Sequence, residues 1–373
     1  MNHRFFSRCC GVLLVGALAA STAQAQLPGY SVVAAPWMGA DAAAPGTARV
    51  HALAYLRNTE YFNPLEEGQT WFGTQLAVQR AWEVSPQITF RAGAWMNHTY
   101  GGTTRLLPLV QMRYETAESS SAGRWQWLAG TLDGAASHGL LEPLYDASRA
   151  LEDPLEYGLQ GTKRMGRWRS DQWISWQKAI VYAEPALERI WAGTTQHLDV
   201  WSRGEQRVSL LAQALWSHAG GQIDASPVGT PEGNRFNGAL GVSATGGLLE
   251  AQAARLFYSD PLARFSPVEQ GGGLLLHVHA QPRLNAHHRL RLGATYWNAS
   301  DFVAPGGGYL FQSVNRYDPT VYQKERRLLI GRLGWDRFHQ AHHLSVRVDP
   351  VVDLQSKTLE WAFSFYWQMH LTP

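Results

Sequence analysis

The sequence predicts an all-β fold, a transmembrane antiparallel β-barrel of about sixteen strands. Two observations predict it. About sixteen short segments alternate apolar with polar residues, and the gaps between them run long, short, long, short. Residues two apart in a strand share a face, so one row of side chains can meet lipid while the other meets water.

In chain order the expected strands are 48–57, 71–83, 87–97, 103–114, 124–133, 157–165, 168–177, 189–200, 206–217, 235–244, 247–257, 273–281, 288–297, 326–335, 342–349 and 358–370. Their lengths suit the roughly 9–11 residues of a tilted span, and an even number is what single-chain bacterial barrels require. Five segments alternate most plainly. Ile88, Phe90, Ala92, Ala94 and Met96 oppose Thr89, Arg91, Gly93, Trp95 and Asn97. Leu106, Pro108, Val110, Met112 and Tyr114 oppose a row holding Arg105, Gln111 and Arg113. Val208, Leu210, Ala212, Ala214 and Trp216 oppose Arg207, Ser209 and Gln213, and Leu290, Leu292, Ala294 and Tyr296 oppose Arg289, Arg291 and Thr295. The last segment sets Leu359, Trp361, Phe363, Phe365, Trp367 and Met369 on one face. Segments 157–165 and 235–244 alternate more weakly, which leaves fourteen or eighteen strands open. Pro108 sits awkwardly inside its segment, because proline cannot donate to a ladder.

The connections differ in kind. Ser85-Pro86, Met165-Gly166-Arg167 and Thr245-Gly246-Gly247 read as tight turns. Between them lie the long segments 58–70, 134–156, 218–234, 258–272 and 298–325. If the barrel starts in the periplasm, every long segment falls on the outer side. The Asp-Pro steps at Asp153, Asp260, Asp318 and Asp349 are expected in or at the edge of outer-side loops, as turn-initiating pairs should be.

Residues 1–25 read as a secretory signal peptide. Arg4 and Arg8 precede an apolar run from Gly11 to Ala20, and Ala23-Gln24-Ala25 is a small-x-small cleavage site. Residues 26–46, rich in Ala, Pro and Gly, read as a lead-in or small plug, and 47–373 as the barrel. Cys9 and Cys10 leave with the signal, so the mature chain can hold no disulfide, thiolate metal site or cysteine nucleophile. Thirty-six glycines, 16 tryptophans and 14 tyrosines suit strands crossing between two aromatic girdles, and no blade repeat argues for a propeller. A net charge of +2 gives no reason to expect nucleic acid as a partner.

The chain resembles bacterial outer-membrane β-barrel proteins as a class, of an uncharacterised porin-like kind, over about residues 47–370. Phe363, Phe365 and Trp367 resemble the aromatic final strand of such proteins, although Gln368 to Pro373 follow where an aromatic terminus is usual. The stretch from Asp133 to Pro154, with His138 to Asp146 at its centre, is similar to one in uncharacterised barrels. The resemblance implies an outer-membrane location, lipid around the barrel and the barrel assembly machinery as partners.

The inward row comes out basic. Arg91, Arg105, Arg113, Arg124, Arg164, Arg169, Arg207, Arg289, Arg291, Arg332 and Arg347 face Glu115, Asp171, Asp349 and Glu360. Rings of arginine favour anions, which suggests a channel for anionic small solutes or export of an anionic polysaccharide. The plainer alternative is that these arginines pair with lumen and loop acids. Trp71, Trp95, Trp173 and Trp297 also fall on or near the polar row, where they can stack on a glycan or support inward loops. Trp82, Trp125, Trp127, Trp216, Trp361 and Trp367 suit the girdles. A second function class is a non-conducting surface protein that binds or assembles glycan through its outer loops.

Enzymatic chemistry is not expected. Ser137-His138 with Asp133 and Asp146 nearby is a triad on paper, but adjacent residues rarely reach that geometry, and the His-x-Ser-Asn arrangement of the outer-membrane phospholipases is absent. His277 and His279 share a face without an evident third ligand, so no metal and no cofactor is expected.

Overall fold

A computed structural model describes residues 46–371, except 118–122, 135, 136, 147, 183–185, 222–229 and 263. The expected signal peptide at 1–25 and nearly all of the expected 26–46 lead-in lie outside the described residues. Sixteen strands form: β1 (Ala48–Glu60), β2 (Thr70–Ser85), β3 (Ile88–Thr99), β4 (Thr104–Glu115), β5 (Arg124–Thr131), β6 (Tyr157–Met165), β7 (Trp168–Lys178) and β8 (Glu188–Arg203). They continue as β9 (Gln206–Gly220), β10 (Gly233–Gly246), β11 (Leu249–Ser259), β12 (Gln270–Ala280), β13 (His288–Ser300), β14 (Glu325–His339), β15 (His342–Asp353) and β16 (Thr358–Leu371). Each pairs antiparallel with its neighbours, and β1 pairs with β16, so the sheet closes on itself and leaves no free edge strand. All sixteen expected segments are strands, and most run a few residues further than the alternation indicated.

The two rows separate as their chemistry demands. Leu210, Leu240, Leu276, Leu292, Leu333, Phe363 and Phe365 are exposed on the outside. Their neighbours Arg91, Gln111, Arg113, Gln213, Gln252, Thr295 and Ser364 are buried on the inside. A slip of one residue would turn every arginine to lipid and every leucine inward, so the pattern itself holds the register. Exposed aromatics gather at both ends of the wall, Trp82, Phe90 and Trp127 towards the tight turns and Phe72, Trp176, Phe236 and Trp361 towards the long connections.

Two of the long connections fold inward. The 132–156 segment carries a short helix α1 (Arg149–Glu152), and the 301–324 segment a single 3₁₀ turn at Tyr309–Phe311. Together they build the main apolar core, in which Leu140, Leu141, Leu144, Tyr145, Phe302, Leu310 and Phe311 pack on wall residues such as Trp173, Leu211, Leu256, Trp297 and Leu328. This barrel is filled at its loop end.

Candidate functional site

The polar inner row serves the backbone of the inward segments. Gln213 accepts from the Leu141 amide at 3.0 Å and donates to the Gly139 carbonyl at 2.7 Å. Thr195 donates to the His138 carbonyl at 2.7 Å, and Asn237 to that of Val303 at 2.8 Å. Gln75 and Asn97 reach the Ala150 and Leu151 carbonyls at the end of α1, at 3.0 and 3.2 Å. A buried loop must have its backbone groups paired, and the wall supplies the partners.

His138 lies at the centre of the first inward segment. Its Nδ1 is 3.0 Å from Asp171, its Nε2 2.6 Å from Glu156, and its ring stacks on Trp173. Tyr145 donates to the other Glu156 oxygen. Burial alone would lower the His138 pKa, but Glu156 and Asp171 outweigh it and push it up to about 9. Ser137 donates instead to the Gly134 carbonyl at 2.8 Å, so the Ser-His pair forms no triad. With a carboxylate on each ring nitrogen, this imidazolium ties a loop to the wall. Because the folded value lies above the ordinary 6.5, the tie stabilises fully below pH about 6.5 and is lost as pH rises through about 9. Its contribution is on the order of 3 kcal/mol. Urea midpoints should fall between pH 6 and pH 10 in the native chain and much less in His138→Gln; equal slopes would remove His138 from this role.

Most of the inward arginines find acids or amides. Arg332 pairs with Glu142 of the first inward segment. Arg289 and Arg291 share Asp336 at 3.1 and 2.5 Å, and Arg347 meets Asp349 at 2.7 Å. Arg169 and Arg207 share Asp199, Arg113 lies between Glu115 and Asp133, and Arg124 pairs with Glu115 at an exposed end. Arg105, also exposed, reaches Asp153 at 3.0 Å, and Arg91 reaches Gln111 at 3.4 Å. Asp171 accepts from Gln160 as well as facing His138. Arg164 stands exposed opposite Arg169. The row is basic in sequence but lined with partners in space.

The expectation that four tryptophans meet a glycan is corrected. Trp95 and Trp297 are 0% exposed, and Trp173 is buried against His138. Trp297 donates to the Phe311 carbonyl at 3.1 Å and lies so close to Gly273 that a Cβ there would sit 2.2 Å from the ring. Trp71 is half-buried, donates to Glu152 at 2.9 Å and is covered by Arg57. All four support the inward segments, because a large ring on the inner row is the nearest apolar surface for a folded-in loop.

A different pair stands outside. His98 and Thr104 face each other across β3 and β4 on the outward row, near the long-connection end. Nδ1 of His98 is 2.8 Å from Oγ1 of Thr104. Tyr100 packs edge-on against His98 and against exposed Phe72. An imidazole within hydrogen-bond reach of a hydroxyl is the arrangement that activates a nucleophile. Sequence reasoning passed over both residues. The available signal was a His and a Thr in a row that is otherwise apolar. Among the described residues no group of three or more metal-ligating side chains forms.

A family model described as lipid A 3'-O-deacylase-type matches residues 41–372. No curated protein matches the chain. Among solved structures, the barrel is similar to the loop L8 deletion mutant of OmpT, an outer membrane protein of Vibrio cholerae, at 9% identity and TM-score 0.53, covering 88% of this chain and 100% of that one. It is also similar to the outer membrane protein OprD from Pseudomonas aeruginosa, at 8% identity and TM-score 0.51, covering 88% and 94%. These likenesses are of fold, and the chain is an outer-membrane β-barrel. The family match overturns the expectation of a chain without enzymatic chemistry. With nearly all of the barrel inside the matched range, the chain belongs to the lipid A 3'-O-deacylase-type family.

Proposed function

We propose that the chain hydrolyses an O-acyl ester of a lipid A-type substrate from the lipid-facing side of its outer rim. His98 is the general base and Thr104 the nucleophile. The observation that carries this reading is the 2.8 Å approach of Nδ1 to Oγ1 on the exposed outward row near the long-connection end of the wall. Neutral Nδ1 takes the Thr104 proton as Oγ1 attacks the ester carbonyl carbon. The bond from that carbon to the sugar oxygen breaks, and the sugar oxygen takes the proton. Water then attacks the acyl-threonine, releasing the fatty acid and restoring Thr104. His138 does not compete for the role, since both its nitrogens already face carboxylates. Mass spectrometry of lipid A from cells expressing the chain tests the reading. A mass loss of one acyl chain should appear with the native protein and Thr104→Ser, and vanish with His98→Ala and Thr104→Val. An unaltered lipid A profile with the native chain would sink it.

A second reading, passage of anionic solutes or an anionic polysaccharide, is supported by Arg49 and Arg91, which line one small cleft with Gln79. The apolar core at the loop end opposes it. In planar bilayers the native chain should carry little current, and deleting residues 139–145 should raise it with anion preference, strongest at low salt. A large, stable current from the native chain would favour the channel. Arg105→Glu is the suitable charge variant, because Arg291→Glu would set a carboxylate beside buried Asp336.

A further inference from the structure

The wall is not uniformly laddered. The β4–β5 ladder holds five residue pairs, Gln111–Glu115 against Gly130–Gln126, whereas β3 pairs with β4 at eleven. β5 turns inward just after Gly130, whose φ is +94° and where a Cβ would sit 2.2 Å from the Val110 carbonyl oxygen. Beyond that point the loop-end half of β4 faces no strand but the Asp153–Tyr157 segment that leads into β6, across a seam that side chains close. The Val110 amide donates to Thr131 Oγ1 at 3.0 Å, and the Tyr157 hydroxyl to the Pro108 carbonyl at 3.0 Å. Pro108 has no N–H to leave unpaired, which explains a proline inside a strand. At the mouth, Arg105 donates to the Glu152 carbonyl and to Asp153, each at 3.0 Å.

The lips of the seam are apolar. Leu106 is 70% exposed, and Val110 is also exposed on the lipid side. Behind them, Trp95, Leu109 and Leu155 form a small buried cluster with Leu107 and Tyr157 packed against it.

We propose that the seam between the loop-end half of β4 and the Asp153–Tyr157 segment is a lateral port, through which an acyl chain of an outer-leaflet lipid enters the wall and rests on Trp95, Leu109 and Leu155. The occupant follows from position, since the seam is continuous with the lipid-facing surface and its inner lining is hydrocarbon and indole. Opening it breaks the Tyr157 bond and displaces Leu155. The port adds to the hydrolase reading, as His98 and Thr104 stand beside it, but lipid entry needs no bond cleavage and is measured separately.

The test is photo-crosslinking in proteoliposomes of phosphatidylethanolamine and lipid A, with benzoylphenylalanine placed singly at Leu155, Leu107, Leu240 or Leu256. Leu240 faces lipid at 60% exposure, and Leu256 is 0% exposed on the far inner wall. Lipid adducts are expected at Leu240, Leu155 and Leu107 and not at Leu256, with Tyr157→Phe raising the Leu155 yield several-fold. Adducts confined to Leu240 would overturn the port. So would equal adducts at Leu256, which would mean that lipid reaches the interior without using the seam. Heat-modifiable gel mobility identifies the folded variants, and Leu107 serves if the probe at Leu155 prevents folding.

Discussion

Acyl release is expected to slow by about 10²–10⁴-fold in His98→Ala, the usual range for removing a general base. Thr104→Val should lose it as fully, because the methyl replaces the attacking oxygen at nearly constant volume. Thr104→Ser should keep most of it. Packing does not require this pair. Both side chains lie on the outward surface near the rim, where substitutions usually change stability by no more than about 0.5 kcal/mol. Folding and catalysis are therefore separable, and heat-modifiable mobility should be unchanged in all three variants. His218 supplies the control. It also faces outward at the loop end, beside Asn234 at 3.1 Å, with an amide in place of a hydroxyl. His218→Ala should leave acyl release intact. If it abolished release while His98→Ala did not, the site would have been placed on the wrong part of the rim.

The largest expected loss of stability is at Arg326. This guanidinium is 0% exposed and donates to Asp353 at 2.8 Å, to the Leu310 carbonyl at 3.0 Å and to Gln323 at 3.2 Å. It ties the second inward segment to β14 and β15, with Glu360 and Glu66 also within its field. Arg326→Met removes the cation but leaves the acids, so it should destabilise by roughly 3–5 kcal/mol, the usual result of stranding a buried charge. Asp353 also accepts from the Gln355 and Ser356 amides, which makes asparagine the right partner change. Arg326→Met with Asp353→Asn should recover much of the loss, since neither member then carries an unmatched charge. Urea unfolding at constant slope reads both variants. A loss below about 1 kcal/mol would mean that water reaches the site.

The strands, their order and their two faces could be read from the sequence, because they depend on neighbours along the chain. Lipid outside and polar groups inside impose a two-residue sign alternation on each span, and Phe90 beside Arg91 or Leu292 beside Arg291 records it locally. Pro108 looked like a fault in that pattern because its explanation lies elsewhere, in the departure of β5 from the wall. The basic row was also legible as composition, and its partners were not. Arg332 meets Glu142 from 190 positions away, and His138 meets Asp171 from 33. No periodicity connects such residues, since long connections carry no repeating constraint and their path is chosen by what they can bury. The sequence by itself determined an outer-membrane barrel with this alternation of lining and surface. Only the tertiary structure decided that the loops fold inward, that four tryptophans support them, and that His98 meets Thr104 across two strands, because each depends on contacts formed after the barrel closes.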